Sequence, residues 1–396
     1  MKPTCNILMY SHDTYGLGHI RRTMAIASHL RNRHTNILII TGSPIAGRFT
    51  FPDHIDFVRI PGMIKKTNEE YLPLSIRINP DHALDIRKNI IKVTAQTFQP
   101  DLFIVDKEPL GLKKEVLPTL KWLRKNLPDT RIILGLRDIM DESHSVRKDW
   151  KEKKVYKTLE ELYTEIWVYG NKDFYDPITE YSIPESISTK IIFTGYIPRK
   201  VPSRKAVKRF RHRYTSNGEK LVVVTPGGGG DGYAMMDTFL SMMESDVSSA
   251  HFRSILITGP FMKEEEKNDI TERAKKLGIK TWHFYNNMEK VLAAADLVIS
   301  MGGYNTICEV LSQGTVSLII PREIPRKEQL IRAQMLNDRN MVDYLQWNTL
   351  TPQTLREKVF KLLKNPEPYQ EVISHFQLTG LDVMSRCLEE FRNNKS

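Results

Sequence analysis

The sequence predicts an α/β protein with two parallel, doubly wound sheets, one in each half of the chain. Three observations predict it. Short apolar runs rich in Ile and Val recur along the chain, separated by stretches of helical periodicity. The runs are apolar at consecutive positions rather than alternate ones, as in parallel strands covered by helices on both faces. Each half opens with such a run leading into a glycine-rich loop.

In the first half the strand candidates are Asn6–Tyr10, Asn36–Ile40, Ile55–Ile60, Asp101–Val105, Arg131–Leu136, Glu165–Tyr169 and Lys190–Thr194. The first breaks at Ser11-His12-Asp13, too short for the core of a signal peptide, and reads as a buried strand. Ile20, Met24, Ala27 and Leu30 then mark one face of a helix. The second half carries candidates at Lys220–Thr225, Ser254–Thr258, Thr281–Phe284, Leu297–Ser300 and Val316–Ile320. Thr351 followed by Pro352 predicts a capped helix that ends near Asn365-Pro366. Thr194-Gly195-Tyr196-Ile197-Pro198 has the composition of a linker. The expected organisation is a first domain over 1–196, a second over 197–375, and a terminal helix over 376–396 that packs back on the first.

The chain has 396 residues, 40% hydrophobic and 27% charged, a usage that excludes an intrinsically disordered chain. Cys5, Cys308 and Cys387 are few and far apart, which argues against a disulfide framework or a cysteine zinc site and favours a cytoplasmic location. No run approaches the ~18 apolar residues of a membrane span. The basic excess, 58 − 47 = +11, favours anionic partners.

Gly16 and Gly18 let the backbone turn tightly after the first strand, where helix N-termini in open sheets meet anions. Arg21 occupies the place of the third glycine of a dinucleotide fingerprint, so no nicotinamide cofactor is expected, and the loop by itself also fits a plain tight turn. His19, at the start of the following helix, is expected to be neutral because the helix dipole disfavours imidazolium, and so able to take a proton from a hydroxyl or water. His12 is a second candidate. Gly227, Gly228, Gly229 and Gly230, with Asp231 and Gly232, offer several N–H groups to one small volume, suited to a diphosphate. The loop lacks the Gly-Lys-Ser/Thr ending of nucleotide-hydrolysing phosphate loops. After the strand ending at Ser300 come Gly302 and Gly303, then a helix opened by Asn305 or Thr306. Glu309 on that helix is suited either to a ribose diol or to a favourable helix-dipole contact. Glu328 and Gln329, after the Pro321–Arg326 loop, suit sugar hydroxyls or a solvated surface. Asp106-Lys107 and Arg137-Asp138 follow strands at the ligand-binding edge and read either as acceptor contacts or as structural ion pairs. Arg199 to Arg213 holds eight Lys or Arg and no acid, with Val207, Phe210 and Tyr214 on one helical face: a basic amphipathic stretch for anionic lipid, or a solvated helix.

The Gly-Gly-Tyr-Asn-Thr-x-x-Glu-x-Leu block, the Pro-Arg loop ending in Glu-Gln and the amino-terminal Gly-x-Gly-His loop stand together in this order. The chain thereby resembles GT-B glycosyltransferases of family 28, the superfamily of the lipid I N-acetylglucosaminyltransferase, and the bacterial group of predicted glycosyltransferases within it. The resemblance implies two Rossmann-like domains facing a cleft, a nucleotide-sugar donor, most simply UDP-linked, held in the second domain, and no metal or other cofactor. It implies that Gly227–Gly230 face the donor diphosphate, that Gly302, Gly303, Asn305 and Thr306 line the pocket, and that Glu309 holds the ribose. Glu328 and Gln329 would contact the transferred sugar, and His19 would be the base or an acceptor-side residue in a hexosyl transfer for which inversion is favoured. The acceptor is not identified by the resemblance; the basic stretch suits one that is anionic or lipid-linked. With the cytoplasmic location that cysteine usage favours, the basic stretch makes peripheral contact at the inner membrane face an expectation. Two departures stand out: the first loop lacks the Thr-Gly-Gly-His form, and the second reads Gly-Gly-Gly-Gly-Asp in place of Gly-Gly-Ser-Gln-Gly. The first loop is also similar to nucleotide-sugar hydrolases in which a histidine activates water, an alternative enzyme class. A non-catalytic polyanion or nucleic-acid binder rests on the +11 charge alone, with no zinc spacing or recognition motif behind it.

Overall fold

The computed structural model describes residues 4–12, 18–48, 51–65, 71–216, 218–245 and 252–394. The chain divides into two units, Met1–Ile197 with Thr379–Ser396, and Pro198–Leu378. The first contains β1 (Cys5–Ser11), β2 (Thr35–Thr41), β3 (Ile55–Arg59), β4 (Met63–Lys65), β5 (Tyr71–Pro73), β6 (Leu102–Asp106), β7 (Arg131–Arg137), β8 (Glu165–Tyr169) and β9 (Ile191–Phe193). Seven of these form a parallel sheet in the order β3-β2-β1-β6-β7-β8-β9, and β4 and β5 pair as an antiparallel hairpin. Because β1 lies inside the sheet and is covered on both faces, every one of its residues but Asn6 is buried.

The second unit contains β10 (Lys220–Thr225), β11 (Phe252–Ile257), β12 (Lys280–Trp282), β13 (Leu297–Ser300), β14 (Ser317–Ile319) and β15 (Asp343–Tyr344), in the order β12-β11-β10-β13-β14-β15, all parallel. In each sheet the strand order reverses beside the first strand, at β1/β6 and at β10/β13. The carboxyl ends of such a strand pair border the crevice where open α/β sheets bind ligands.

The expected strands are all present, with β8, β10 and β13 matching their predicted bounds. The hairpin and β15 were not anticipated: β5 contains Pro73, and β15 is two residues long, so neither carries a strand-like run. The predicted cap is present, with Thr351 Oγ1 accepting from the Thr354 amide at 3.1 Å and the helix running Pro352–Lys364. Helix Gly380–Asn394 packs on helix Gly18–Leu30 within the first unit. The chain returns to that unit beside Gly195: its φ is +88°, and a Cβ there would lie 2.2 Å from Thr379 Oγ1, so only glycine fits.

The basic stretch forms helix Arg204–Tyr214, capped by Ser203. Its apolar face is not left for lipid. Phe210 is buried in a cluster with Leu221, Val223, Ile255 and Val298, and Val207 and Tyr214 pack at its margin. Arg211 donates to the Ala294 carbonyl at 2.7 Å and to Asp296 at 2.7 Å. What remains exposed is a charged face that includes Lys205, Lys208 and Arg209. Phe210→Ala should therefore destabilise the second unit by about 3–5 kcal/mol, as expected for a buried aromatic. Denaturant unfolding would read this as a lower midpoint for that unit.

Candidate active site

His12 follows the last residue of β1, Asp106 ends the adjacent β6, and His19 lies on the first turn of helix Gly18–Leu30. This brings three residues from separate segments to the β1/β6 switch point. His19 Nδ1 is hydrogen-bonded to Asp106 Oδ2, and Arg22 binds Asp106 Oδ1 through Nε at 3.0 Å and Nη2 at 2.5 Å. Arg22 Nη2 also lies 3.2 Å from His19 Nδ1. One nitrogen cannot both donate to the carboxylate and accept from the guanidinium. The closer, charged carboxylate takes the Nδ1 proton, which leaves His19 Nε2 as a lone pair.

Burial alone would raise Asp106; Arg22 and His19 overrule it and hold the carboxyl well below the usual carboxylate range. Burial lowers His19 from 6.5 to about 4 against the upward pull of Asp106, with Arg22 and Lys107 adding to the decrease. The expected neutral imidazole is thus present, but desolvation is the main cause. His12, whose ring meets that of His19 edge-on at 5.6 Å, is lowered to about 3 by burial, with Glu108 pulling the other way.

Asp106 turns to Arg22 and His19, and Lys107 pairs with Glu108 at 3.3 Å. Asp138 is buried and accepts from Tyr196 Oη at 2.9 Å, while Arg137 is half-buried at the end of β7. Gly18 begins the helix, and Gly16 lies outside the described residues.

In the second unit, Thr225 and Ser300 are paired in register, so the loops following β10 and β13 begin side by side. A Cβ on Gly227 would lie 3.5 Å from Thr306 Oγ1, which brings the two glycine motifs together. Gly227 and Gly229 have φ of +85° and +95°, and a Cβ on Gly229 would lie 2.2 Å from the Thr258 carbonyl. Gly228 and Gly230 are exposed. Gly302 (φ +70°) packs where a Cβ would meet Ile319 at 2.6 Å. Gly303, rather than Asn305 or Thr306, precedes the first residue of helix Tyr304–Gln313 as its cap. Asn305 Oδ1 accepts from Arg199 at 2.6 Å, and Glu309 is buried on the same helix.

Glu328 and Gln329 begin helix Glu328–Asn337, and both are buried. Arg322 organises them: its amide donates to Gln329 Oε1 at 2.9 Å, Nη2 to Glu328 Oε1 at 2.7 Å, and Nη1 to Asp231 Oδ2 of the glycine loop at 3.0 Å. Nε of Arg322, Oε1 of Glu323 and Oε2 of Glu328 are buried with no hydrogen-bond partner. Three such atoms in one loop suit a polar ligand. Arg332, also buried, donates to the Gly302 carbonyl at 3.2 Å. Sequence reasoning missed Arg22, Arg322 and Arg332 as site residues; only the proximity of Arg22 to His19, three positions along a helix, signalled any of them. Among the described residues no group of three His, Cys, Asp or Glu is arranged to hold a metal ion, and no helix is long and apolar enough to cross a membrane.

Residues 222–385 match the family model of the glycosyltransferase family 28 C-terminal domain. Over that region the chain is similar to family 28 glycosyltransferases, and its fold is GT-B. The chain is 29% identical over 187 residues to the UDP-N-acetylglucosamine–N-acetylmuramyl-(pentapeptide) pyrophosphoryl-undecaprenol N-acetylglucosamine transferase of Clostridioides difficile, covering 46% of this chain and 45% of that protein. It is 24% identical over 212 residues to the transferase of the same name from Bacillus subtilis, covering 52% of this chain and 58% of that protein. The match thus spans about half the length of these curated relatives. Acinetobacter baumannii MurG superposes with a TM-score of 0.62 at 13% identity over 98% of this chain and 100% of its own, and the glycotransferase of kitacinnamycin with 0.64 at 15% identity over 98% and 99%. At those identities the likeness is one of fold.

Between pH 6.5 and about 4 an unfolded chain protonates His19 while the folded chain does not, so stability falls as pH is lowered through that window. Comparing wild type with His19→Gln by denaturant unfolding at a series of pH values should show the wild type losing more stability from pH 6.5 down to about 4, with no further divergence below.

Proposed function

We propose that the protein is a glycosyltransferase that moves a sugar, a hexose or N-acetylhexosamine, from a UDP-linked donor to a hydroxyl of a lipid-linked acceptor. The observation that carries this reading is the His19–Asp106 pair at the β1/β6 switch point, with Nδ1–H committed to the carboxylate and Nε2 bare. Such a histidine takes a proton as a general base, and its carboxylate fixes the tautomer and stabilises the imidazolium that forms. Asp106 is kept ionised for that task by Arg22.

In this scheme the acceptor oxygen attacks the anomeric carbon while its proton passes to His19 Nε2. The bond from that carbon to the diphosphate oxygen breaks, the electron pair leaves with the diphosphate, and attack from the opposite face inverts the configuration. The amides of Gly227–Gly230 and the start of helix Tyr304–Gln313 would meet the departing charge by electrostatic preorganisation, so the scheme includes no metal or other cofactor. Glu309 would hold the ribose, and Glu328 and Gln329, arranged by Arg322, would contact the sugar. The names of the relatives support the donor and the lipid-linked acceptor. A lipid-linked acceptor in turn implies a cytoplasmic protein that works at the inner membrane face.

Asp106→Asn should lower kcat on the order of 10²- to 10⁴-fold, as should His19→Ala, with donor affinity retained. A near-normal rate in either variant, with the fold checked by thermal melting, would assign the base elsewhere. Glu309→Ala should weaken UDP-sugar binding about 10- to 100-fold by calorimetry, the loss of hydrogen bonds to a charged group. Thermal-shift comparison of UDP-, GDP- and dTDP-sugars tests the base. Rapid stoichiometric hydrolysis of the donor without acceptor would make water the acceptor.

A further inference from the structure

A chain of buried groups stands behind His19 and is not used by the scheme above. Tyr10, on β1, donates its hydroxyl proton to Glu115 Oε1 at 2.5 Å. Glu115 is gripped by Arg87 through Nε at 2.5 Å and Nη2 at 2.6 Å, and Arg87 Nη1 donates to the Pro61 carbonyl at 2.5 Å. All three side chains are buried. A phenol has one proton, and here it is given to a carboxylate, the strongest acceptor in reach. Tyr10 Oη can therefore only accept from its other neighbours: the Leu112 amide at 3.4 Å and His12 Nδ1 at 3.3 Å. For that contact to be a hydrogen bond, His12 must carry its proton on Nδ1, although neutral imidazole in water prefers Nε2–H.

We propose that Tyr10, locked by Glu115 and Arg87, holds His12 in the Nδ1–H tautomer, and that His12, its Nε2 left as a lone pair, is a positioning residue for His19. The two rings meet edge to face at 5.6 Å, so the orientation of one constrains the other. Lys107, Glu108 and Asp106 are the charged groups that act on His12. Burial and Glu115 push Tyr10 up, which keeps it a phenol. The inference rests on His19 being the base, but its tautomer half is measurable without turnover.

The test is long-range proton–nitrogen NMR on the full chain labelled with nitrogen-15 histidine, with His12→Gln identifying the His12 signals. The expected result is an Nδ1–H tautomer for His12 in the wild type. Tyr10→Phe should move His12 to Nε2–H and leave His19 as Nδ1–H. The same variant should lower kcat for UDP-N-acetylglucosamine on the order of 10- to 100-fold, the cost of a misplaced catalytic group, with donor KM unchanged. Rescue is expected to be absent in Tyr10→Phe at every pH, because the proton at fault is on the wrong nitrogen rather than in excess. An Nε2–H tautomer in the wild type overturns the proposal, and this measurement stands even if Tyr10→Phe fails to fold. So does an unmoved tautomer or a near-normal kcat in a folded Tyr10→Phe. Retained activity in His19→Ala would instead refute His19 as the base while leaving the tautomer result intact, so the two failures are distinguishable.

Discussion

The first unit depends on a negative charge kept where water does not reach it. Asp106 ends a central strand, buried, and burial alone would protonate it. Arg22 prevents this by binding one carboxylate oxygen through two nitrogens, and the other oxygen is then free to hold His19. The cation and anion offset each other, so His19 experiences an oriented acceptor more than a bare charge. Burial keeps its imidazole neutral despite a carboxylate at hydrogen-bonding distance, with Arg22 adding to the decrease. The ion pair fixes the base in one tautomer, and burial keeps it neutral over the ordinary pH range.

The second unit solves a different problem, close approach of backbone to a charged ligand. Gly227, Gly229 and Gly302 have positive φ, and side chains at Gly229 and Gly302 would collide with the Thr258 carbonyl and with Ile319. Arg322 binds an acid of the Gly227–Gly232 loop and an acid of helix Glu328–Asn337 at once. The glycine loop and the start of the helix are thereby held by one guanidinium, whose planar fork can serve two carboxylates. Its remaining buried nitrogen and the nearby carboxylate oxygens without partners make this loop the most polar unsatisfied region of the described second unit.

Much of the fold was legible in the sequence because parallel strands covered on both faces are unbroken Ile and Val runs, and glycine loops punctuate them. The Thr351 cap was legible for a similar reason: a hydroxyl, a proline and the helix they begin are neighbours in the chain. The hairpin Met63–Lys65/Tyr71–Pro73 was not, since three-residue strands leave no periodicity to read. In the site, His19 and the glycines stand out by local pattern, while for Asp106 the pattern leaves both an acceptor contact and an ion pair with Lys107 open. The basic helix Arg204–Tyr214 was read as able to face lipid because its apolar stripe is visible in the sequence, but the cluster that covers Phe210 is not.

The sequence by itself determined most of the strand, loop and helix succession, the places of the glycine-rich loops and the residues able to act as acid, base or anion binder. These depend on contacts within a few residues. Only the tertiary structure decided which of those residues meet: His19 with Asp106 across 87 positions, Arg322 with Asp231 across 91, Tyr10 with Glu115 across 105. The physical reason is sheet order. Placing β6 beside β1, and β13 beside β10, is a long-range choice made by core packing, and it is that choice which turns separate motifs into sites.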